Sequence, residues 1–266
     1  MTDFAGELRG WRQRRRVSQL ELAVRAGTTQ RHVSFLESGR SAPGRSMIIR
    51  LAESLGVPIR ERNTLLLAAG FAPAYPQSRL DDPQLEPVRT ALQRILDGHH
   101  PYPAVVVDRH GVLVSANAGF HAVTGGVAPR LLRPPVSVPR LLLDPDGLAP
   151  RIVNLDEWAW HIIDNIRAED ARNPSAELRE LAAELVGLVP PRPTTNHLGF
   201  AVPLRLRTGA EELRLITTLT HFGTAVDVTI AELRLEAFLP ADEATATALA
   251  GIVPRQSPPG DPAARA

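Results

Sequence analysis

Residues 18–41 read SQLELAVRAGTTQRHVSFLESGRS. Two short helices are legible there, broken at Gly27, where a left-handed backbone costs little only for glycine. Ser18 and Glu21 stand in S-x-x-E spacing, the capping-box signature of a helix start. Thr29 is a good cap for the second helix. Leu22 and Ala23 face inward on the first, and Val33 and Leu36, three apart, are buried together on the second. That leaves Gln30, Arg31, Ser34 and Phe35 pointing outward from the second helix.

Working outward, helical periodicity predicts five helices over 4–16, 19–26, 30–38, 47–55 and 59–69, stopped by Gly27, Gly39, SAPG, GVP and Gly70. This defines a helical head over 1–70. Residues 71–98 read as a linker, Pro-rich at first (FAPAYPQSRLDDP) and then a connecting helix from Pro83 with Leu85, Val88, Leu92, Ile95 and Leu96 on one face. A body over 99–253 mixes strand-like runs (PAVVVDRHGVLVSAN, FAVPLRLR, EELRLITTLTHFG, LRLEAFLP) with a helical middle containing LDEWAWHIIDNIRAED and SAELRELAAELVGL. The fold class expected is therefore α+β, an all-α head and an antiparallel sheet with helices. The tail over 254–266, PRQSPPGDPAARA, is too polar and Pro-rich to pack and is expected to be disordered.

Composition narrows the function. The chain has 266 residues, 44% of them apolar, and no Cys, which excludes disulfides, thiolate metal sites and Cys nucleophiles. No apolar run reaches the ~18 residues of a membrane helix and no signal peptide is visible, so a cytoplasmic protein is expected. The net charge of +1 hides an asymmetry: residues 1–70 hold 12 Arg against six acids, while the rest holds 18 Arg against 23 acids. A basic head on a mildly acidic body predicts that the head meets a polyanion.

The outward residues say which. Gln pairs with adenine and Arg with guanine through two hydrogen bonds, and Phe can meet a thymine methyl. Gln30, Arg31, Ser34 and Phe35 are thus the candidate base contacts of a helix lying in the major groove of double-stranded DNA. Gln19 and Thr29, at helix starts, and Arg40 and Arg45, in the following loop, are the candidate phosphate contacts.

With its five helices and the trailing LESGRSAP, the head resembles the XRE family of lambda-repressor-like DNA-binding domains. That resemblance implies an internal ion pair between Arg12 and Glu37. In the body, VVVDRHGVLVSANAGFHAVTG (105–125) resembles the opening of a PAS domain, with Asn117 as a helix cap. Across nearly its full length, on stretches such as HPYPAVVVDR, LLLDPDGLAPRIVN and THFGTAVDVTIAELRLEAFLPADEATA, the chain resembles MmyB-like regulators. His110-Gly111, where an aromatic is expected, and TTNHLGFAVPL depart from that pattern. The resemblance implies a homodimeric transcription factor with a small apolar or fatty-acid-like effector in a PAS-like body. Val107, Leu113, Phe120, Trp158, Leu206, Ile216, Leu219 and Phe222 are the candidate walls of such a pocket, though each reads more readily as ordinary core.

Other chemistry finds no support in the sequence. His99-His100 and the His161/Asp164 pair lack a full ligand set, and DPDG at 144–147 reads as a turn rather than a calcium loop. No G-x-S-x-G or P-loop is present, so neither metal nor catalytic site is expected. Three readings remain: a ligand-responsive regulator, a DNA-binding protein whose body only dimerises or binds a partner, and an enzyme fused to a DNA-binding head.

Overall fold

Helix closure by local hydrogen bonds shapes the first part of the chain. The computed structural model describes residues 3–193, 202–209, 211–222 and 225–253. Five helices occupy the head: α1 (Phe4–Arg14), α2 (Gln19–Arg25), α3 (Gln30–Glu37), α4 (Arg45–Ser54) and α5 (Ile59–Ala68). Side chains of Asp3, Ser18 and Thr29 cap α1, α2 and α3 by accepting from Gly6, Glu21 and His32 N–H groups. Gly27 (φ +61°) closes α2 as a Schellman turn: its N–H reaches Val24 O and the Thr28 N–H reaches Ala23 O at 2.9 Å.

Two details differ from the sequence reading. The capping box at α2 is one-sided, because the Glu21 carboxylate is drawn one turn forward to Arg25. And α1 ends at Arg14, since Arg16 takes a left-handed conformation (φ +55°) while the Val17 N–H turns back to Arg12 O. Leu8, Trp11, Leu22, Val33, Leu36, Ile48, Leu51 and Leu65 form the core of this bundle.

The second core belongs to a five-stranded antiparallel sheet of order β2-β1-β5-β4-β3, built from β1 (Ala104–Val107), β2 (Leu113–Ala116), β3 (Leu204–Thr208), β4 (Glu211–His221) and β5 (Arg234–Pro240). The order follows from two hairpins, β1-β2 and β3-β4, with β5 inserted between them. Among the described residues six α-helices accompany the strands, α6 (Glu86–Gly98), α7 (Ala118–Val123), α8 (Val138–Leu143), α9 (Leu155–Arg172), α10 (Ala176–Val186) and α12 (Glu243–Ile252), while α11 (Val228–Ala231) lies in the connection from β4 to β5. On α6, Leu85 just before the helix, Leu92 and Leu96 are buried, whereas Ile95 is exposed.

Register fixes which side chains share a face. Thr217 lies opposite Phe238, Leu219 opposite Glu236 and His221 opposite Arg234 on β4 and β5. Alternation then puts 213, 215, 217 and 219 on one face with 234, 236 and 238. That face carries the core with Val105, Val107, Leu204 and Leu206, against Leu141, Trp158, Ile163 and Leu181 of α8, α9 and α10.

The chain divides into two compact units. One comprises Met1–Leu80 with Phe222–Ala231, the other Asp81–His221 with Glu232–Ala266. The segment carrying α11 therefore belongs to the helical unit, although it connects β4 to β5. The expectation of a disordered tail concerns residues 254–266, which lie outside the described residues.

Candidate functional site

In the helical unit the second and third helices present a surface fixed from behind by one buried carboxylate. The Glu37 side chain, at the end of α3, is 1% exposed. Arg12 of α1 grips it with two parallel bonds, Nε to Oε1 at 2.6 Å and Nη2 to Oε2 at 2.8 Å. Gln19, first residue of α2, donates to the same Oε2 at 2.8 Å, and Arg9 donates to the Glu37 backbone carbonyl at 2.9 Å. Burial works to raise the Glu37 carboxyl, but the hydrogen bonds from Arg12 and Gln19 outweigh it and hold the group below the usual range. Three helices are thereby locked to one ion pair, which fixes the pitch of α3.

On the outer side of α3, Gln30 and Arg31 are exposed and Ser34 and Phe35 partly so. The Arg31 guanidinium lies over the Phe35 ring, 5.2 Å from its centre. The candidate phosphate residues are less uniform. Arg40 is exposed. Thr29 uses its hydroxyl oxygen as the cap of α3, and Gln19 commits one amide hydrogen to Glu37. Arg45, expected to face phosphate, instead donates to the carbonyls of Ala72 and Pro73, because α4 begins two residues earlier than its apolar pattern indicates and carries Arg45 at its first position.

The sheet unit holds a cavity of ≈ 100 Å³. Its floor is the sheet face with Thr217, Leu219, Arg234, Glu236 and Phe238, its cover includes Val138, Leu142, Trp158, Ile162 and Leu178, and His110 and Gly111 close one side. Gly111 (φ +77°) allows this closure, since a Cβ there would stand 3.0 Å from the Pro139 ring.

Of the pocket walls expected from sequence, Trp158 and Leu219 line this cavity. Val107, Phe120 and Leu206 are instead fully packed core, and Leu113 packs at its edge. Ile216 alternates with Thr217 and so faces away, where it is 38% exposed. Phe222 belongs to the helical unit. Trp160, two residues from Trp158, points elsewhere, its indole N–H on Pro190 O and its ring under Arg192.

The polar lining escaped the sequence reading. Glu236 keeps some accessible surface, yet dense surrounding protein pushes its carboxyl above the usual carboxylate range, only partly opposed by Arg234. The cavity it faces opens to solvent, since the lining residues His161, Asn165 and Leu219 are exposed. Arg234 donates through Nη2 to Asp108 O and Arg109 O, pinning the turn that carries His110 and Gly111, while its Nε and the Thr217 hydroxyl have no hydrogen-bond partner among the described residues. The usable signal was parity: residues 217, 219, 234, 236 and 238 share one face, and a set joining Ile216 to Leu219 cannot.

His161 lines the cavity and contacts Asn165, while Asp144 and Asp146 of the DPDG turn both bind Arg130. Among the described residues no group of three or more His, Asp or Glu is placed to hold a metal ion. Nor is any helix among them long and apolar enough to cross a membrane.

A five-helix unit whose α3 turns Gln30 and Arg31 outward, joined to a five-stranded antiparallel sheet with a cavity on one face, is the architecture of a DNA-binding transcription regulator with a ligand-binding domain, and the family matches bear this out. Residues 8–62 match the helix-turn-helix family, and residues 88–251, more than half of the chain, match the MmyB-like transcription regulator ligand binding domain. The chain belongs to this MmyB-like family. These are regulator domains, not catalytic ones. No curated protein sequence matches the chain.

Proposed function

We infer that the protein is a cytoplasmic, sequence-specific regulator that binds a near-palindromic operator as a homodimer, with affinity set by a small apolar effector in the sheet unit. The observation that carries this reading is the α3 surface: Gln30, Arg31, Ser34 and Phe35 stand outward on a helix whose inner end is clamped through Glu37. In this reading those four residues meet base edges, and Gln19, Thr29 and Arg40 meet phosphates, with Arg45 joining them if released from the linker carbonyls. A two-fold pair would space its recognition helices about 34 Å apart, one turn of DNA. The effector acts by binding unequally to the DNA-competent and incompetent arrangements.

The test is selection of bound duplexes from a random pool by the full chain, followed by titration of the best sequence. Inverted repeats with half-sites about 10 bp apart are expected. Arg31→Ala should cost roughly 1–3 kcal/mol of operator affinity and relax one position in each half-site. If base preference is unchanged in that variant, Arg31 is not a reading residue.

A further inference from the structure

The cavity of the sheet unit is lined by apolar side chains and by a few polar ones, and of its two acids, Glu169 and Glu236, only Glu236 lacks a hydrogen-bond partner among the described residues. Glu236 projects from the middle of β5 among Leu219 opposite, Val105 on the other side, and Thr217 and Phe238 on the same face. No hydrogen bond to its carboxyl comes from any described residue, whereas other carboxylates of the unit, such as Glu169, Glu184 and Glu212, are each met by a donor. Glu236 is only partly exposed, so a molecule filling the cavity would cover its carboxyl and must offer it a partner or leave it unfavourably unmatched. The cavity is also small: ≈ 100 Å³, against roughly 300–1,000 Å³ for pockets that enclose drug-sized ligands and about 150 Å³ for an engineered cavity that takes benzene.

Resting on the ligand-sensing reading above, we propose that this cavity takes a compact molecule, about one ring in size, whose apolar body carries a hydroxyl, and that Glu236 is the residue that selects it. The four alternatives of head group separate on physical grounds. A plain hydrocarbon would fill the space but leave the carboxyl buried and unmatched. A ligand carboxylate would face Glu236, so the two acids would repel or have to share a proton. The nearest cation, Arg234, already spends Nη2 on the Asp108 and Arg109 carbonyls, and its Nε is covered. An ammonium would have to shed its own hydration on entry and would face the charge of Arg234 as well as that of Glu236. A hydroxyl alone donates to the ionised carboxyl, accepts from the protonated one, and carries no charge to desolvate. Thr217, one position along β4 on the same face, has a hydroxyl free to turn toward it.

Isothermal titration of the full chain with benzyl alcohol, toluene, benzoate, benzylamine and decanoate tests this. Benzyl alcohol is expected to bind about tenfold or more tightly than each of the others, the size of effect one charge-assisted hydrogen bond supplies. Glu236→Leu should bring benzyl alcohol down to the level of toluene, and Glu236→Gln, which still donates and accepts, should keep the preference. Leu142→Trp, filling the chamber from α8, should abolish binding and confirms the location if Glu236→Leu does not fold. Tightest binding of benzoate, benzylamine or decanoate, an alcohol preference that survives Glu236→Leu, or no binding by any probe would overturn the proposal. Operator affinity measured with and without benzyl alcohol separates the two claims: selective binding with unchanged operator affinity would sink the regulatory reading and leave the ligand class standing.

Discussion

Burying a lone carboxylate at the end of α3 would be costly, and the chain meets that cost with Arg12 and Gln19 rather than with solvent. Removing the charge while keeping the shape exposes what the pair contributes. Glu37→Gln should lower the urea-unfolding free energy by about 3 kcal/mol, because a partly buried Arg12 loses its counter-charge. The acid side follows from the same geometry. Glu37 is held below its ordinary value of 4.5, so its contribution is complete above that pH and is lost only as pH falls through the lower folded-state value. Stability of the wild-type chain should decline in that window, and Glu37→Gln should flatten the slope; an unchanged slope would place the acid sensitivity elsewhere. The Arg12–Glu37 pair was legible because the resemblance of the head supplied it. The Gln19 bond to the same carboxylate was not, since its 18-residue separation gives no local pattern. Glu236 was hidden differently: in LRLEAFLP an acid between apolar residues reads as the solvent side of a strand, and only the register puts it inside.

Elements in the sheet unit are joined by side chains that sequence reads as purely local. Asn117 shows this. Its cap role at α7 is visible in the spacing to Phe120, whose N–H donates to Oδ1 at 3.0 Å. The same oxygen also accepts from Ala104 at the start of β1, and Nδ2 donates to Leu96 O of α6 at 3.2 Å and Tyr102 O at 2.8 Å. One buried amide thus ties a helix end, a strand start and a helix start. Gly119 lets α7 come this close, since a Cβ there would stand 2.6 Å from Pro101 O. Asn117→Ala should therefore cost about 2–4 kcal/mol in urea denaturation, well beyond the ~1 kcal/mol of a lost cap. Asn117→Ser, which preserves only the cap, should recover a minor part of it. A loss near 1 kcal/mol for alanine would reduce Asn117 to the cap that its sequence position indicates. Most elements were placed by periodicity and punctuation, and their ends drifted where a tertiary bond intervened, as at Arg16 and Arg45. What periodicity does not carry is strand order: β5 enters between β1 and β4 although many residues separate it from β1.

At the scale of the whole chain, connectivity offers the route by which the cavity can reach the DNA-binding helices. Both strands that floor the cavity, β4 and β5, run directly into residues 222–231, and that segment belongs to the helical unit. There Asp227 Oδ2 accepts from the Ser78 N–H at 3.0 Å, the Val228 N–H donates to Pro76 O at 2.9 Å, and the Thr229 hydroxyl donates to Ser78 O at 2.7 Å. Asp227 also folds the segment on itself by accepting from the Thr229 N–H. The chain consequently passes between the units three times, after Leu80, His221 and Ala231, rather than once through a linker. A sequence reading sees only a loop between two strands there, because the partners lie some 150 residues upstream. In the effector-controlled reading proposed above, a ligand that shifts β4 against β5 would act on the helical unit through this segment. Asp227→Ala should leave the affinity of the cavity for its tightest probe and the ligand-free affinity for operator close to wild type. The ratio of operator affinities with and without that probe should fall toward one, from the roughly 5–150-fold range typical of coupled sites. An intact ratio in a variant that keeps both affinities would mean that the clasp holds the helical unit together without transmitting the state of the cavity.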